Sequence, residues 1–293
     1  MHRYLDAVGY GEMASFDELN RFLERAKETC IYQEVVSLDP ETDFCEYVTS
    51  CTEKANIGIS VCGTLDLKGG FQRHYFFPYL VGNGITSISD VTVEKRMDKM
   101  AFAGIFEDDR VGISLIFHVL NSVEYMTVHQ SKRKELKQIG ISLSGLCNGG
   151  MILLPVAKNP EQERAKKENN KNRINLLNAA RGGDHTAIET LTLNDIETYS
   201  KVSRRLATED VFTIVETYFM PCGIECDQYS ILGEIVDMKT TRNMHTDEEL
   251  YILTVQVNGI TFDVCVPAKN VVGEPMVGRR FKGDIWLQGI IGA

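Results

Sequence analysis

The sequence has no long apolar run. None of its stretches approaches the ~18 residues that cross a bilayer as a helix, so no membrane span is expected. The opening residues, MHRYLDAVGYGEMASFDEL, carry Asp6, Glu12 and Asp17 and lack the apolar core of an export signal. Positive charge is scarce: 31 Lys and Arg stand against 41 Asp and Glu, a net charge of −10. That balance argues against a general nucleic-acid binder, which meets phosphates with a basic surface. The usual catalytic signatures are missing too, with no Walker A pattern, no G-x-S-x-G and no H-E-x-x-H. Gly82-Asn83-Gly84 lacks the third glycine and the strand-to-helix setting of a dinucleotide loop, and it reads as a turn. Together these absences predict a cytoplasmic protein with no membrane and no generic nucleic acid among its partners.

Cysteine is not scarce. The 8 cysteines, in a chain without an export signal, are expected as reduced thiols. Cys222 and Cys226 form the one close pair near a turn, and no second Cys/His pair completes a zinc site. No metal and no cofactor is expected.

What is present is an ordinary globular composition, 43% hydrophobic and 25% charged. The most legible stretch is ELYILTVQVNGITFDVCVP, residues 249–267. Asn258-Gly259 sits between two alternating runs, and both residues tolerate the positive φ of a type I′ turn. A two-residue loop pairs Val257 with Ile260, Val255 with Phe262, Leu253 with Val264 and Tyr251 with Val266, all apolar. The other face pairs Gln256 with Thr261, Thr254 with Asp263 and Ile252 with Cys265. A one-residue slip would drive polar groups into the core, so the register is well specified.

Along the chain, Ser15 and Glu18 form a capping box for a helix over residues 16–29 with an apolar stripe of Phe16, Leu19, Phe22, Leu23 and Ala26. Residues 31–155 read mainly as strands: IYQEVVSL, DFCEYVTSC, NIGISVCGTL and RHYFFPYL, then the hairpins GIFEDDRVGISLIFHV and ISLSGLCNGGMILLPV. SKRKELKQ reads as a solvated loop or short helix. From Asn159-Pro160 onward the pattern is helical, with helices expected over residues 185–191, 193–206 and 209–219. At least four strands then follow Gln228. The expected fold is α+β: a β-rich domain over 1–157 with one leading helix, a helical connector over 158–227, and a small OB-like barrel or curled sheet over 228–293.

Three segments carry a resemblance: NAARGGDHTAIETLTLNDIETYSKVSRRL, EDVFTIVETYFMPCGIECDQYSILGEI and GRRFKGDIWLQGII, with the start MHRYLDAVGYGEMAS. Through them the chain resembles a family of uncharacterised proteins of about this length from clostridial Gram-positive anaerobes, filed as a domain of unknown function. The resemblance implies a cytoplasmic bacterial protein, and it brings no catalytic residue, cofactor or partner with it.

The residues must supply candidates themselves. Glu225 and Asp227 flank Cys226 and, in an extended segment, share a face. They are suited to a cation or to acid and base work, although a bond to the helix-to-strand turn is the preferred reading. Arg204-Arg205 and Arg279-Arg280 are basic doublets suited to a phosphate or carboxylate, although internal salt bridges across domain joints are the preferred reading. His118 sits in an apolar strand and reads as a hydrogen-bonded core residue. Trp286 falls with Lys282, Asp284 and Gln288 on one strand face, so something must cover it: a ligand, a partner, or the chain's own connector and exit turn.

Two functions stand. One is a non-catalytic binding or scaffold protein whose partner is another protein or a small anionic ligand, with Glu225, Asp227, Arg279, Arg280 and Trp286 as binding residues. The other is an enzyme using the Glu225 and Asp227 carboxylates and the Arg279 and Arg280 cations on an anionic substrate between the two β-rich parts.

Overall fold

The computed structural model describes residues 2–11, 16–54, 56–96, 100–128, 133–156, 168–169, 172–173, 175–177, 179–206 and 211–292. A 3-10 turn at Asp6–Val8 precedes α1 (Phe16–Glu24) and α2 (Ala26–Thr29). The helix expected over 16–29 is thus interrupted at Arg25, and its cap Ser15 lies outside the described residues. Then β1 (Tyr32–Asp39), β2 (Thr42–Ser50), β3 (Ile57–Asp66) and β4 (Phe71–Leu80) form an antiparallel four-stranded sheet in chain order. These are the four strands that the β-branched and aromatic runs predict.

The second sheet begins with β5 (Ser87–Lys95), β6 (Phe102–Asp108) and β7 (Ile113–Val119), then α3 (Ser122–Val128) and the 21-residue β8 (Arg133–Leu153). Two expectations are corrected here. Residues 133–138, read as loop or helix, pair as strand with β5, and Asn148-Gly149 makes no hairpin turn. The local turn chemistry is overridden because β8 pairs with β14 on both sides of Asn148-Gly149, from Ile141 to Cys147 and from Gly150 to Leu153, and each paired residue adds a ladder contact.

After the helical residues, α4 (His185–Leu206) runs as one helix where two were expected, and α5 (Val211–Ile214) covers a single turn. The helix expected through Phe219 is corrected as well: β9 (Tyr218–Pro221) is a strand. Phe219 is buried there, its ring 4.8 Å from Tyr229 and 5.9 Å from Phe262. The chain continues as β10 (Gln228–Arg242), β11 (Glu249–Val257), β12 (Ile260–Pro267), a 3-10 turn, β13 (Val271–Val272) and β14 (Arg280–Ile291). The β11–β12 hairpin has the register read from sequence at every pair, with φ of 48° at Asn258 and 87° at Gly259. Val255, Val257, Ile260, Phe262 and Val264 are buried, and each such side chain stabilises by roughly 1.5–3 kcal/mol.

The ten strands β5–β14 share one sheet that closes on itself twice. β5, β6, β7, β14 and β8 form one circuit, and β10, β11, β12, β8 and β14 form another. Strands from residues 228–293 therefore do not stand apart from those of residues 87–153. The central β8–β14 pair is antiparallel, and each partner also receives one parallel strand: β12 meets Ser144, and β7 meets Gln288. Because Ser144 and Gln288 are themselves opposite, the pairing is two-fold symmetric about them. The sequence follows: Ile141-Ser-Leu-Ser-Gly-Leu146 corresponds to Ile285-Trp-Leu-Gln-Gly-Ile290 under that symmetry.

The chain divides into two compact units, Met1–Leu153 with Phe219–Ala293, and Leu154–Tyr218. Within the first, β4 leads into a strap held by the symmetric centre. Gln288 donates to the Pro78 carbonyl at 2.8 Å and accepts from the Leu80 N–H at 3.1 Å, and Ser144 donates to the Leu80 carbonyl at 2.6 Å. The N-terminal turn is pinned likewise, Asn243 donating to the Val8 carbonyl at 2.8 Å and Thr246 to the Gly9 carbonyl at 2.7 Å. Gly9 has φ 84° there, and a Cβ would lie 3.0 Å from that of Asn243. Among the described residues no helix is long and apolar enough to cross a membrane, and none of the 8 cysteines is in a disulfide.

Candidate functional site

Asp227 and Trp286 meet. The register opposes Gln228 to Trp286, which brings the preceding Asp227 over the indole. Trp286 Nε1 donates to Asp227 Oδ2 at 2.8 Å, and Arg96, at the end of β5, makes an ion pair with the same oxygen. Asp227 is fully buried, and its Oδ1 takes no hydrogen bond from a described residue. The indole is covered by His2 at 5.0 Å, His118 at 5.1 Å and Tyr4 at 5.8 Å between ring centres. Of the covers considered for Trp286, the exit turn supplies one through Asp227, and the N-terminal segment adds His2 and Tyr4. His118, on β7, is a core residue as read, its ring also 4.6 Å from Phe77.

Glu225 is tied to this group through Gln228, whose Nε2 donates to Glu225 Oε2 at 3.2 Å and whose Oε1 accepts from Arg3 at 3.2 Å. Arg279 and Arg280 are not brought in. Arg279 Nη1 donates to the Glu274 carbonyl at 2.7 Å, and Arg280 is buried opposite Glu234 and Leu153 at the start of β14. At ~3.3 Å per residue that end of the strand is about 20 Å from Trp286. The Arg204 side chain is exposed on α4. That of Arg205 lies outside the described residues.

Beside the Asp227 group an open cleft of about 560 Å³ is lined by Arg3, Asn148, Ser230, Lys282, Asp284 and a run of glycines. Its local cause is the β8–β14 ladder, where Gly150 stands opposite Gly283 and the register shifts before Ile285. Neither glycine has room for a side chain: a Cβ at Gly150 would lie 2.4 Å from the Phe281 ring, and one at Gly283 would lie 2.8 Å from Cys147 Sγ. These close contacts are what require glycine at both positions. Arg3 reaches it with one Nη on Gln228 and its guanidinium 5.7 Å from the Tyr4 ring centre. Asn148 Nδ2 donates to the Arg3 carbonyl at 2.9 Å, while its Oδ1 is buried and takes no hydrogen bond from a described residue. Burial and the nearby Asp284 charge push the Cys222 thiol up, against the pull of Arg3.

Reasoning from sequence missed a second polar cluster, on one face of the four-stranded sheet. Glu46 is 3% exposed, and Ser60 makes a short hydrogen bond to its Oε1. Glu34 stands directly opposite Glu46 in the β1–β2 ladder. Burial raises the Glu46 carboxyl from 4.5 to about 7, with Glu34 adding to the rise and Ser60 opposing it. Glu34 is raised too, by burial and then by Glu124 of α3. A small cleft of about 50 Å³ opens here between Tyr32, Tyr79 and Asn121. The signal was present: Glu46 alternates with the apolar Phe44 and Val48 on one strand face, where a charge does not belong. Among the described residues, no group of three or more His, Cys, Asp or Glu side chains is placed to hold a metal ion.

The chain belongs to the family described as "Domain of unknown function, E. rectale Gene description (DUF3881)", whose profile matches residues 5–289. No curated protein and no solved structure matches the chain.

Proposed function

We propose that this protein is a non-catalytic binding protein that holds a small anionic ligand in the open cleft at the Gly150–Gly283 break. The observation that carries this is the combination of an accessible cleft of about 560 Å³ with the Arg3 guanidinium, which has a single hydrogen-bond acceptor, Gln228, among the described residues. Ligand clefts of roughly 300–1,000 Å³ are typical for small molecules, and a guanidinium with open N–H groups suits a carboxylate or phosphate. Lys282 adds a second cation to the wall. Asp284, opposite Ser230 in the ladder, is the one acidic lining residue and would select against ligands with negative charge at both ends. The Trp286–Asp227–Arg96 group supports the cleft from behind by fixing Tyr4, the neighbour of Arg3, against the indole. On this reading Glu225 orients Gln228, and Asp227 anchors the exit turn. The circuit of β10, β11, β12, β8 and β14 is read as an OB-like barrel that borrows β8, and the location as cytoplasmic.

The test is native mass spectrometry of the freshly isolated protein, followed by thermal-shift screening of carboxylated and phosphorylated metabolites. A hit whose stabilisation disappears in Arg3→Ala, with the unliganded melting curve kept, supports the reading. A hit unaffected by that substitution, or no hit among anions, overturns it.

A further inference from the structure

We infer that the small cleft between Glu34, Glu46 and the rings of Tyr32 and Tyr79 is a binding site for a protonated primary amine. It shares no lining residue with the cleft beside Arg3, so the two readings stand or fall separately.

The strand register places two carboxyl groups opposite each other, Glu34 on β1 and Glu46 on β2. Like charges in directly opposed positions are destabilising. Yet among the described residues that line this cleft none is Lys, Arg or His. The cluster is short of one positive charge. Glu46 is almost completely buried, receives one hydrogen bond, from Ser60, and has a second oxygen that takes none from a described residue. That oxygen belongs to a nearly buried side chain lining the cleft, so an acceptor is left for a donor from outside.

The walls fit a cation. Tyr32, Phe77 and Tyr79 contribute aromatic rings, whose faces attract ammonium groups. The space of about 50 Å³ admits a head group of a few non-hydrogen atoms, not a sugar or a nucleotide. A primary ammonium has three N–H donors and a single charge, which match the free Glu46 oxygen and the Glu34 carboxylate.

Without the amine, the proton on Glu46 relieves the repulsion. Burial, Ser60 on β3 and Glu34 on β1 set its titration, and the other titratable groups that feel its charge are Tyr32 on β1, Cys45 on β2, Cys62 on β3, and Tyr75 and Tyr79 on β4. None is cationic. Binding the ammonium to ionised Glu46 releases that proton to the buffer, so affinity should rise with pH.

The experiment is titration calorimetry on the full chain with two ligands: methylammonium chloride for a free amine, and Nα-acetyl-lysine methylamide for a lysine side chain of a partner. Saturable binding of either is expected, about tenfold tighter at pH 8 than at pH 6 for a carboxyl titrating near 7, with proton release shown by buffers of different ionisation heat. The tighter of the two identifies the source. Glu46→Gln, which keeps the shape of the protonated carboxyl and hence the fold, should weaken binding at least tenfold while melting cooperatively. Tetramethylammonium, bulkier and without N–H groups, should bind at least tenfold more weakly than methylammonium. No binding of either amine at pH 8, undiminished binding by Glu46→Gln, or equal binding of tetramethylammonium overturns the proposal.

Discussion

Asp227, at the edge of the ten-stranded sheet, is fully buried beside the Arg96 guanidinium and the Trp286 indole N–H, whereas Glu46, in the middle of the four-stranded sheet, is buried beside one hydroxyl and a second acid. Removing a carboxylate from water costs several kcal/mol unless charge and hydrogen bonds are supplied in return. The first region supplies them from distant parts of the chain. The second does not, and its acid keeps a proton to about pH 7 instead. One carboxyl therefore acts as a fixed cross-link, and the other as a group whose charge the surroundings decide.

The sharpest way to break this contrast is Asp227→Ala. It strands the Trp286 N–H in the interior and leaves Arg96 without its partner, so unfolding by urea should show a loss of about 3–5 kcal/mol, toward the low end because Arg96 is partly exposed. Glu46→Gln should act in the opposite direction. In the folded chain the carboxyl is raised to about 7, against 4.5 ordinarily. Below about pH 4.5 the acid is protonated in both states and costs nothing. Between about pH 4.5 and 7 the unfolded chain loses its proton first, so stability falls as pH rises, by about 3 kcal/mol in all. The substitution should remove that slope and leave the variant about 3 kcal/mol more stable than the parent at pH 8. A parent stability curve flat across this window would erase the distinction between the two acids.

Trp286→Phe keeps an aromatic ring among His2, Tyr4 and His118 but deletes the donor to Asp227. A loss of about 1–3 kcal/mol is expected in the same denaturation assay. The smallest effect should come from Ser60→Ala. It removes one hydrogen bond, costing about 1 kcal/mol at pH 8, and pushes the Glu46 carboxyl still higher, which carbon-13 carboxyl titration by NMR would read directly. A downward shift would mean that Ser60 is not what holds the acid down.

What could be read in the sequence was local. Asn258-Gly259 and the alternation on either side fix the β11–β12 hairpin because the turn geometry and the apolar face give the same register. The first four strands and the β6–β7 hairpin were legible for the same reason. At Asn148-Gly149 an equally good local signal gave the wrong answer, since β8 is paired with β14 immediately before and after those two residues, and with β12 and β13 on its other edge. Residues 209–219 carried helical spacing, yet Phe219 is claimed by Tyr229 and Phe262 from a strand position. The candidate sites split along the same line. Asp227 was singled out as half of a carboxylate pair flanking Cys226, and Trp286 as a large aromatic on a polar strand face. Arg96 is 131 residues from Asp227 in the chain, and nothing near it announces the pairing. Glu46 was passed over, since its meaning depends on finding Glu34 across the ladder and no cation among the described residues that line the cleft.

The sharing of β8 and β14 between two closed circuits has a consequence for how the protein is made. On the ribosome, β5, β6, β7 and β8 emerge early, but the strand that shuts their circuit is β14, which begins at Arg280. Until then the first four strands of that ring expose open edges, and the ring of later strands lacks nothing but the same final piece. Both circuits thus close in one late event, with contacts spanning more than half the chain. Such topology predicts slow folding, a nascent state prone to edge pairing with other chains, and a strong dependence on chaperones that hold unfinished sheets.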